Sequence, residues 1–458
     1  MQRQVSAPAR LRSPILAALA ALSLAGCTVI GVPGAGDKVK GPPARPDIMT
    51  ADYPAIANAS RTGGGPLPLA TNADEWRDVN LAMLREAFET HVYGAIPGET
   101  AVAIADRRVL DTGAFGGTGL LEELSLRIDT PDGGSVPLRV ALVRPAPAEA
   151  GAAAPRRRPL ILAANFCGNK ATMGREDVSP PQSWYPTSIC ERSWTSPIAT
   201  FIFGRHIQTP PIEKILARGY ALATFYPGEI APDEPELAKP ALDRLTTPGR
   251  PKPGTVAVWA WGFSRALDAL ADEPWLDDEA ISVYGHSRHG KAALLAGVFD
   301  TRIDAIIAHQ SGTGGATLSR SYAGESVAKI TESYPHWFTE AYAGYADQED
   351  ALPIDQHMLI ALAAPRPMLL GNAYRDVWSD PQGAFRAAQG ADPVYEAAGV
   401  RGLAQDRLKD VDLSAEIAFY MRGGRHGVTT QDWRMFLDFL DIHLAKAPSG
   451  LQTAGPAR

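Results

Sequence analysis

The run Ile281-Ser282-Val283-Tyr284-Gly285-His286-Ser287-Arg288-His289-Gly290-Lys291, followed by Ala292-Ala293-Leu294-Leu295-Ala296, holds the residues with the clearest chemical potential in this 458-residue chain. Apolar residues give way to a glycine-flanked serine and then to helix formers, which predicts a strand, a tight turn and a helix. In such a turn the serine hydroxyl stands clear of the sheet edge, and the free N–H groups of the first helical turn can receive an oxyanion. Ser287 is therefore the candidate nucleophile. The elbow pattern is Gly-x-Ser-x-Gly, and here the second glycine comes one place late, with His289 in its slot. On that pattern alone, a glycine-rich turn that merely caps a helix is the competing reading.

The elements that must position this serine follow from the hydrophobic pattern. Short apolar runs at 124–128, 138–143, 160–164, 220–225, 281–284, 305–308, 367–370 and 417–421 alternate with helix-like segments. That alternation predicts an α/β protein: a mostly parallel sheet with helices on both faces, a three-layer sandwich. The first two runs can pair antiparallel across Pro131-Asp132-Gly133-Gly134. Residues 255–271 read as a helix, and Trp433, Phe436, Leu437 and Leu440 fall on one face of another. Eight strands in this order resemble the α/β-hydrolase fold.

A serine hydroxyl needs a neighbouring base at neutral pH, and imidazole has the fitting pKa. In hydrolases of this fold the chain order is serine, acid, histidine, with the histidine after the last strand. Of nine histidines, His426 in Met421-Arg422-Gly423-Gly424-Arg425-His426-Gly427 lies in a glycine-rich loop at that place. His443 falls inside the last helix and is expected at the surface. His286 and His289 are too close to Ser287 to curl back, and they lack a Cys or carboxylate companion at metal-ligand spacing. The acid must hold the imidazole tautomer. Asp376 comes soon after the seventh strand and is the preferred acid, whereas Asp380, next to Pro381, reads more plausibly as a helix cap.

The amino terminus is a separate matter. Arg3, Arg10 and Arg12 precede an apolar run over 15–24, too short to span a bilayer, which ends in Leu24-Ala25-Gly26-Cys27. Residues 1–27 read as a signal peptide whose ending resembles the bacterial lipobox, with Cys27 the lipidated residue. The expected product is an exported lipoprotein facing the periplasm or the cell surface. Thr28 after the cysteine resembles the outer-membrane sorting pattern. Residues 28–50 suit a flexible tether, 51–445 a single catalytic domain, and 446–458 a frayed tail. Cys167 and Cys190 remain, in a compartment that permits a disulfide, and two buried thiols is an equally good reading. A long irregular stretch at 170–211 contains Trp184, Tyr185, Trp194, Phe201 and Phe203 and is a candidate substrate-facing insertion. Residues 145–158 read as a surface loop. Lys plus Arg is 44 against 51 Asp plus Glu, a net charge of −7 without a basic stripe, which excludes a nucleic-acid partner.

Further motifs carry a family resemblance. Gly285-His286-Ser287-Arg288-His289-Gly290-Lys291, Ser311-Gly312-Thr313-Gly314-Gly315-Ala316, Gly324-Glu325, His336-Trp337-Phe338, Ala364-Pro365-Arg366-Pro367, Asp376-Val377-Trp378-Ser379-Asp380-Pro381 and Gly424-Arg425-His426 resemble, in order and spacing, the glucuronoyl esterases of carbohydrate esterase family 15. The resemblance accounts for the late second glycine. It implies hydrolysis of the ester between 4-O-methyl-glucuronic acid on xylan and a lignin-type alcohol, with glucuronoxylan or lignin–carbohydrate fragments as partners, no metal or organic cofactor, and a monomer. It further implies that Ser287 is the nucleophile, His426 the base and Arg288 an oxyanion-stabilising side chain, and that Lys291, Glu325 and Trp378 contact the sugar. Many members carry the acid after the sixth strand, where this chain has His309-Gln310-Ser311. Gln310 cannot ionise, which favours Asp376. The rival readings are another hydrolase of this fold, such as an acetyl-xylan esterase or a peptidase, and an inactive glycan-binding lipoprotein.

Overall fold

The computed structural model describes residues 81–146, 157–186, 190, 203–321 and 324–444. The leader, Cys27, the tether, the start of the domain, the tail, most of the 145–158 loop, Trp194 and Phe201 lie outside the described residues.

Nine strands form one sheet: β1 (Val102–Gly113), β2 (Gly119–Asp129), β3 (Ser135–Pro145), β4 (Arg158–Ala164), β5 (Ala221–Phe225), β6 (Leu276–His286), β7 (Ala305–His309), β8 (Met368–Ala373) and β9 (Ile417–Arg422). Their spatial order is β1-β2-β3-β5-β4-β6-β7-β8-β9. From β5 to β9 every neighbouring pair is parallel, while β1, β2, β3 and β5 meet antiparallel. The eight expected strands are all present, and β2 and β3 pair across the expected turn, with Asp129 opposite Ser135. The strand missed from sequence is β1. Its Asp106-Arg107-Arg108 centre breaks any apolar alternation, and it survives as an edge because those charges find partners next door. Arg107 pairs with Glu122 and Glu273, and Arg108 with Glu123.

The central strands are buried on both faces, which is why they read as unbroken apolar runs. Alternate residues serve two separate cores: Ile281, Val283, Ile306 and Ala308 face one, and Ala280, Tyr284, Ala305 and Ile307 the other. Helices α1 (Ile212–Ala217) and α6 (Thr430–Leu444) cover the second face. Helices α2 (Thr255–Asp268), α3 (Arg288–Phe299), α4 (Gln356–Ala361) and α5 (Pro381–Ala397) cover the first. The sandwich therefore has three layers. The predicted face of α6 is buried at Trp433, Phe436, Leu437 and Leu440. His443 departs from expectation: its side chain is 7 % exposed, donating Nε2–H to the Leu413 carbonyl at 2.9 Å, with Nδ1 3.3 Å from Glu416. The loop at 413–416 packs over that end of α6, a contact that helix periodicity does not reveal.

Strand order reverses around β4, whose neighbours are β5 and β6. In open parallel sheets such a switch point opens a crevice beyond the carboxyl ends of the strands. The residues that follow β6, β7, β8 and β9 converge there. Cys167, just past β4, is bridged to Cys190 of the insertion, with Cα atoms 5.3 Å apart.

Candidate active site

Strand β6 ends at His286, α3 starts at Arg288, and Ser287 between them has φ 57° and ψ −127°. A non-glycine residue held there costs about 1–3 kcal/mol, so the surroundings must enforce it. They do so through the Ser287 N–H, which donates to the His309 carbonyl at 2.8 Å, and the Gly290 N–H, which donates to the Ser287 carbonyl at 2.8 Å. A Cβ on Gly285 would stand 1.9 Å from the His289 carbonyl oxygen, so only glycine fits. The displaced second glycine also has a physical reason. His289 turns into a pocket of rings, 4.4 Å from Phe166 and 5.3 Å from Trp259 between centroids, while Gly290 lets the helix approach Gly285 and His309.

His426 lies on the loop after β9, and its ring centroid is 4.6 Å from that of His286, the residue preceding Ser287. Its Nδ1 is 2.8 Å from Asp376 Oδ2. Burial alone would raise the Asp376 carboxyl, but the His426 ring and the Ser379 hydroxyl and N–H outweigh it and hold the acid below its ordinary value. An ionised Asp376 accepts a hydrogen bond from the Nδ1–H and so holds the tautomer whose Nε2 carries no proton. Asp380 is occupied elsewhere. It caps α5, accepting from the Gly383 N–H at 3.0 Å, and its other oxygen accepts from the Ser321 hydroxyl.

The loop bearing His426 is fastened at several points. Arg422 donates to the carbonyls of Gly427 at 2.6 Å, Gly423 at 3.0 Å and Arg425 at 3.1 Å, and is itself paired with buried Asp432 at 2.7 Å. Asp432 also accepts from the Tyr420 hydroxyl. The insertion contributes too: the Val428 N–H donates to the Phe203 carbonyl, and the His206 N–H to the Val428 carbonyl. Burial, then the neighbouring His426, push His286 well below the usual imidazole range, so the ring beside His426 is neutral.

On the other side of Ser287 the groups are charged. The Arg288 guanidinium pairs with Asp233 and lies 4.9 Å from the Trp337 ring and 5.3 Å from the Tyr334 ring. Asp233 further accepts from His336 Nε2 at 3.1 Å and Trp337 Nε1 at 2.7 Å. Lys291, on the first turn of α3, is 3 % exposed and donates to the carbonyls of Ser311 at 2.6 Å and Thr313 at 2.5 Å. Burial brings its ammonium down to about 8 despite the attraction of Glu325. Burial likewise raises the Glu325 carboxyl, partly offset by Lys291 and by the Trp378 indole, which donates to Glu325 Oε1 at 3.0 Å. Lys291, Glu325 and half-buried Trp378 thus form one polar and aromatic group beside the turn. Among the described residues no cluster of three or more His, Cys, Asp or Glu side chains is placed to hold a metal ion.

Asp233, Tyr334 and Arg422 were not singled out from sequence. A partly buried guanidinium at 288 does require a carboxylate nearby, but that requirement does not say which of 51 acidic residues supplies it.

Known proteins resemble this chain in sequence and in fold. A family model for fungal glucuronyl esterases matches residues 195–399, which include Ser287, Arg288, Lys291, Glu325, Asp376 and Trp378 and stop short of His426. The carbohydrate esterase MZ0003, from an unknown prokaryotic organism, is 36% identical over 386 residues, covering 82% of this chain and 86% of its own. A solved structure of a promiscuous CE15 esterase from a marine bacterial metagenome superposes with a TM-score of 0.70 at 35% identity, over 81% of this chain and 93% of the other. A glucuronoyl esterase from Solibacter usitatus gives 0.70 at 31% identity, over 89% of this chain and 100% of that one. With its strand–turn–helix serine and this coverage, the chain is a carboxylic ester hydrolase and belongs to the glucuronoyl esterases of carbohydrate esterase family 15.

Proposed function

We propose that this protein hydrolyses the ester between 4-O-methyl-glucuronic acid, as a side group of xylan, and a lignin-type alcohol, through a Ser287–His426–Asp376 triad and an acyl-enzyme. The observation that carries the reading is the 2.8 Å contact of His426 Nδ1 with Asp376, in a ring set against the residue that precedes Ser287. A relative named 4-O-methyl-glucuronoyl methylesterase, from Hypocrea jecorina, is 30% identical over 254 residues, 53% of this chain and 54% of its own, and supports the uronate as the acyl group.

In the first half-reaction His426 Nε2 takes the Ser287 hydroxyl proton while Oγ bonds to the uronoyl carbonyl carbon. The resulting oxyanion lies beside the first turn of α3 and the Arg288 guanidinium. Collapse breaks the bond to the alcohol oxygen, which leaves with the proton from His426. Water, deprotonated by the same ring, then attacks the acyl-enzyme and releases glucuronate and Ser287. Lys291 and Glu325 can form charge-assisted hydrogen bonds to sugar hydroxyls, and Trp378 offers a flat apolar face to the ring C–H groups. The same reading takes the chain as an exported monomer anchored through Cys27, with 28–50 as tether and 446–458 as tail. The Cys167–Cys190 bridge, at home in an oxidising compartment, supports export.

The test is turnover of a benzyl ester of glucuronic acid beside an acetyl ester. The parent protein should cleave the uronate ester, and Ser287→Ala should show no turnover. Cleavage of only the acetyl ester would replace the substrate, and undiminished turnover by Ser287→Ala would remove the mechanism.

A further inference from the structure

We propose that Gln310 is a positioning residue for His426: its side-chain amide clasps the peptide groups on both sides of the histidine and so sets where the ring stands. The inference rests on His426 being the base. Gln310 directly follows β7, with φ 48° and 1 % exposure. Its Oε1 accepts from the Gly427 N–H at 2.9 Å, and its Nε2 faces the Arg425 carbonyl at 3.4 Å. Gly427 and Arg425 are the two chain neighbours of His426. An amide suits this place because it offers an acceptor and a donor at once, whereas a carboxylate would turn a second acceptor toward the Arg425 carbonyl.

The clasp also links the base to the nucleophile. The Gln310 N–H donates to the Gly371 carbonyl on β8 at 2.9 Å, and the preceding carbonyl, of His309, receives the Ser287 N–H at 2.8 Å. One dipeptide, His309-Gln310, thus fixes the Ser287 turn through its backbone and the His426 loop through its side chain. Arg422 holds the same loop through carbonyls alone, among them those of Gly427 and Arg425. Gln310 is the partner found for the Gly427 N–H. Without it, that donor loses its buried acceptor, and the His426–Gly427 peptide is held through its chain neighbours, by Arg422 on the Arg425 and Gly427 carbonyls.

The test compares Gln310→Ala and Gln310→Met with the parent; methionine keeps the length and removes both hydrogen bonds. Three quantities are read: turnover of the benzyl glucuronate ester, the rate at which a fluorophosphonate labels Ser287, and Tm. The expected result is a fall in kcat and in labelling by on the order of 10²-fold, with KM unmoved, because displacing a reacting group by an ångström has that cost. A purely structural role would instead lower Tm and the active fraction while leaving the labelling rate of folded molecules at the parent value. In a His426→Ala background, adding Gln310→Met should leave the slow labelling rate unchanged, since the ring it positions is gone. Parent-like labelling by either folded Gln310 variant, or losses that multiply with that of His426→Ala, would overturn the inference. Parent-like labelling by His426→Ala itself would instead overturn the reading of the base.

Discussion

The two flanks of Ser287 are built on opposite electrostatic plans. On the base side, β6, β7, β8 and β9 bring together neutral His286, the amide of Gln310, Asp376 and His426; the charge that touches the ring is the Asp376 carboxylate, and Arg422 and Asp432 neutralise each other behind the loop. On the other side, Arg288 and Lys291 keep their charges close to the turn, Arg288 against Asp233 and two aromatic rings, Lys291 against carbonyls and Glu325. The contrast follows from what each side meets during ester hydrolysis. In the mechanism we propose His426 becomes an imidazolium, and a second cation beneath it would oppose that step; burial holds the His286 ring neutral there. The carbonyl oxygen becomes an anion, and fixed cations or dipoles aimed at it need no reorganisation at the moment of reaction. Opposite charges develop a few ångströms apart, and each meets surroundings suited to its sign.

The sharpest way to break this comparison lies on the base side. Asp376→Asn should lower kcat by about 10⁴-fold, because an amide stabilises the wrong imidazole tautomer and no longer offsets the imidazolium. Asp380→Ala, four residues on, should leave kcat near the parent value and cost roughly 1–2 kcal/mol of stability from the lost cap of α5. Steady-state kinetics and thermal melts of the pair would separate the roles; the opposite pattern would exchange them.

Next in size is the cationic side. Arg288→Ala should lower kcat by on the order of 10²–10³-fold, the scale of losing one donor to an oxyanion. Arg288→Lys should recover only part of it, because an ammonium cannot hold Asp233 with one arm while stacking on Trp337 and Tyr334. Equal activity of the arginine and lysine proteins would show that charge alone matters and that the planar fork does not.

The smallest effect is one of pH. Lys291, brought down to about 8 by burial, is charged below that pH and loses its proton as pH rises through it. If its ammonium grips sugar hydroxyls, KM for the uronate ester should rise above pH 8 by about tenfold or more, the worth of a charge-assisted hydrogen bond. Lys291→Met should show the raised KM at every pH, without the inflection. A parent KM that stays flat across pH 8 would take Lys291 out of sugar binding.

Much of this site is visible in the linear chain because the signals involved are short in range. The eight apolar strands, the turn at Ser287, the glycine loop around His426 and the cap at Asp380 each depend on residues within a turn or two of one another. Where reading failed, the deciding contact came from elsewhere. Strand β1 looked too charged to pair until Glu122, Glu123 and Glu273 met its arginines, and His443 looked exposed until the loop at 413–416 folded over it. The disulfide stood open because two cysteines 23 positions apart say nothing of their separation in space.

What sequence alone determined, then, is which residues could react and what local geometry each would adopt, since backbone preference, capping and hydrophobic period act between near neighbours. What tertiary structure decided is which further polar groups share a partner: Asp233 with Arg288 across 55 positions and Gln310 with Gly427 across 117. A buried charge or N–H must be satisfied, but any carboxylate or carbonyl within reach would serve. Reach exists only once the strand order β5-β4-β6-β7-β8-β9 has brought those chain segments side by side.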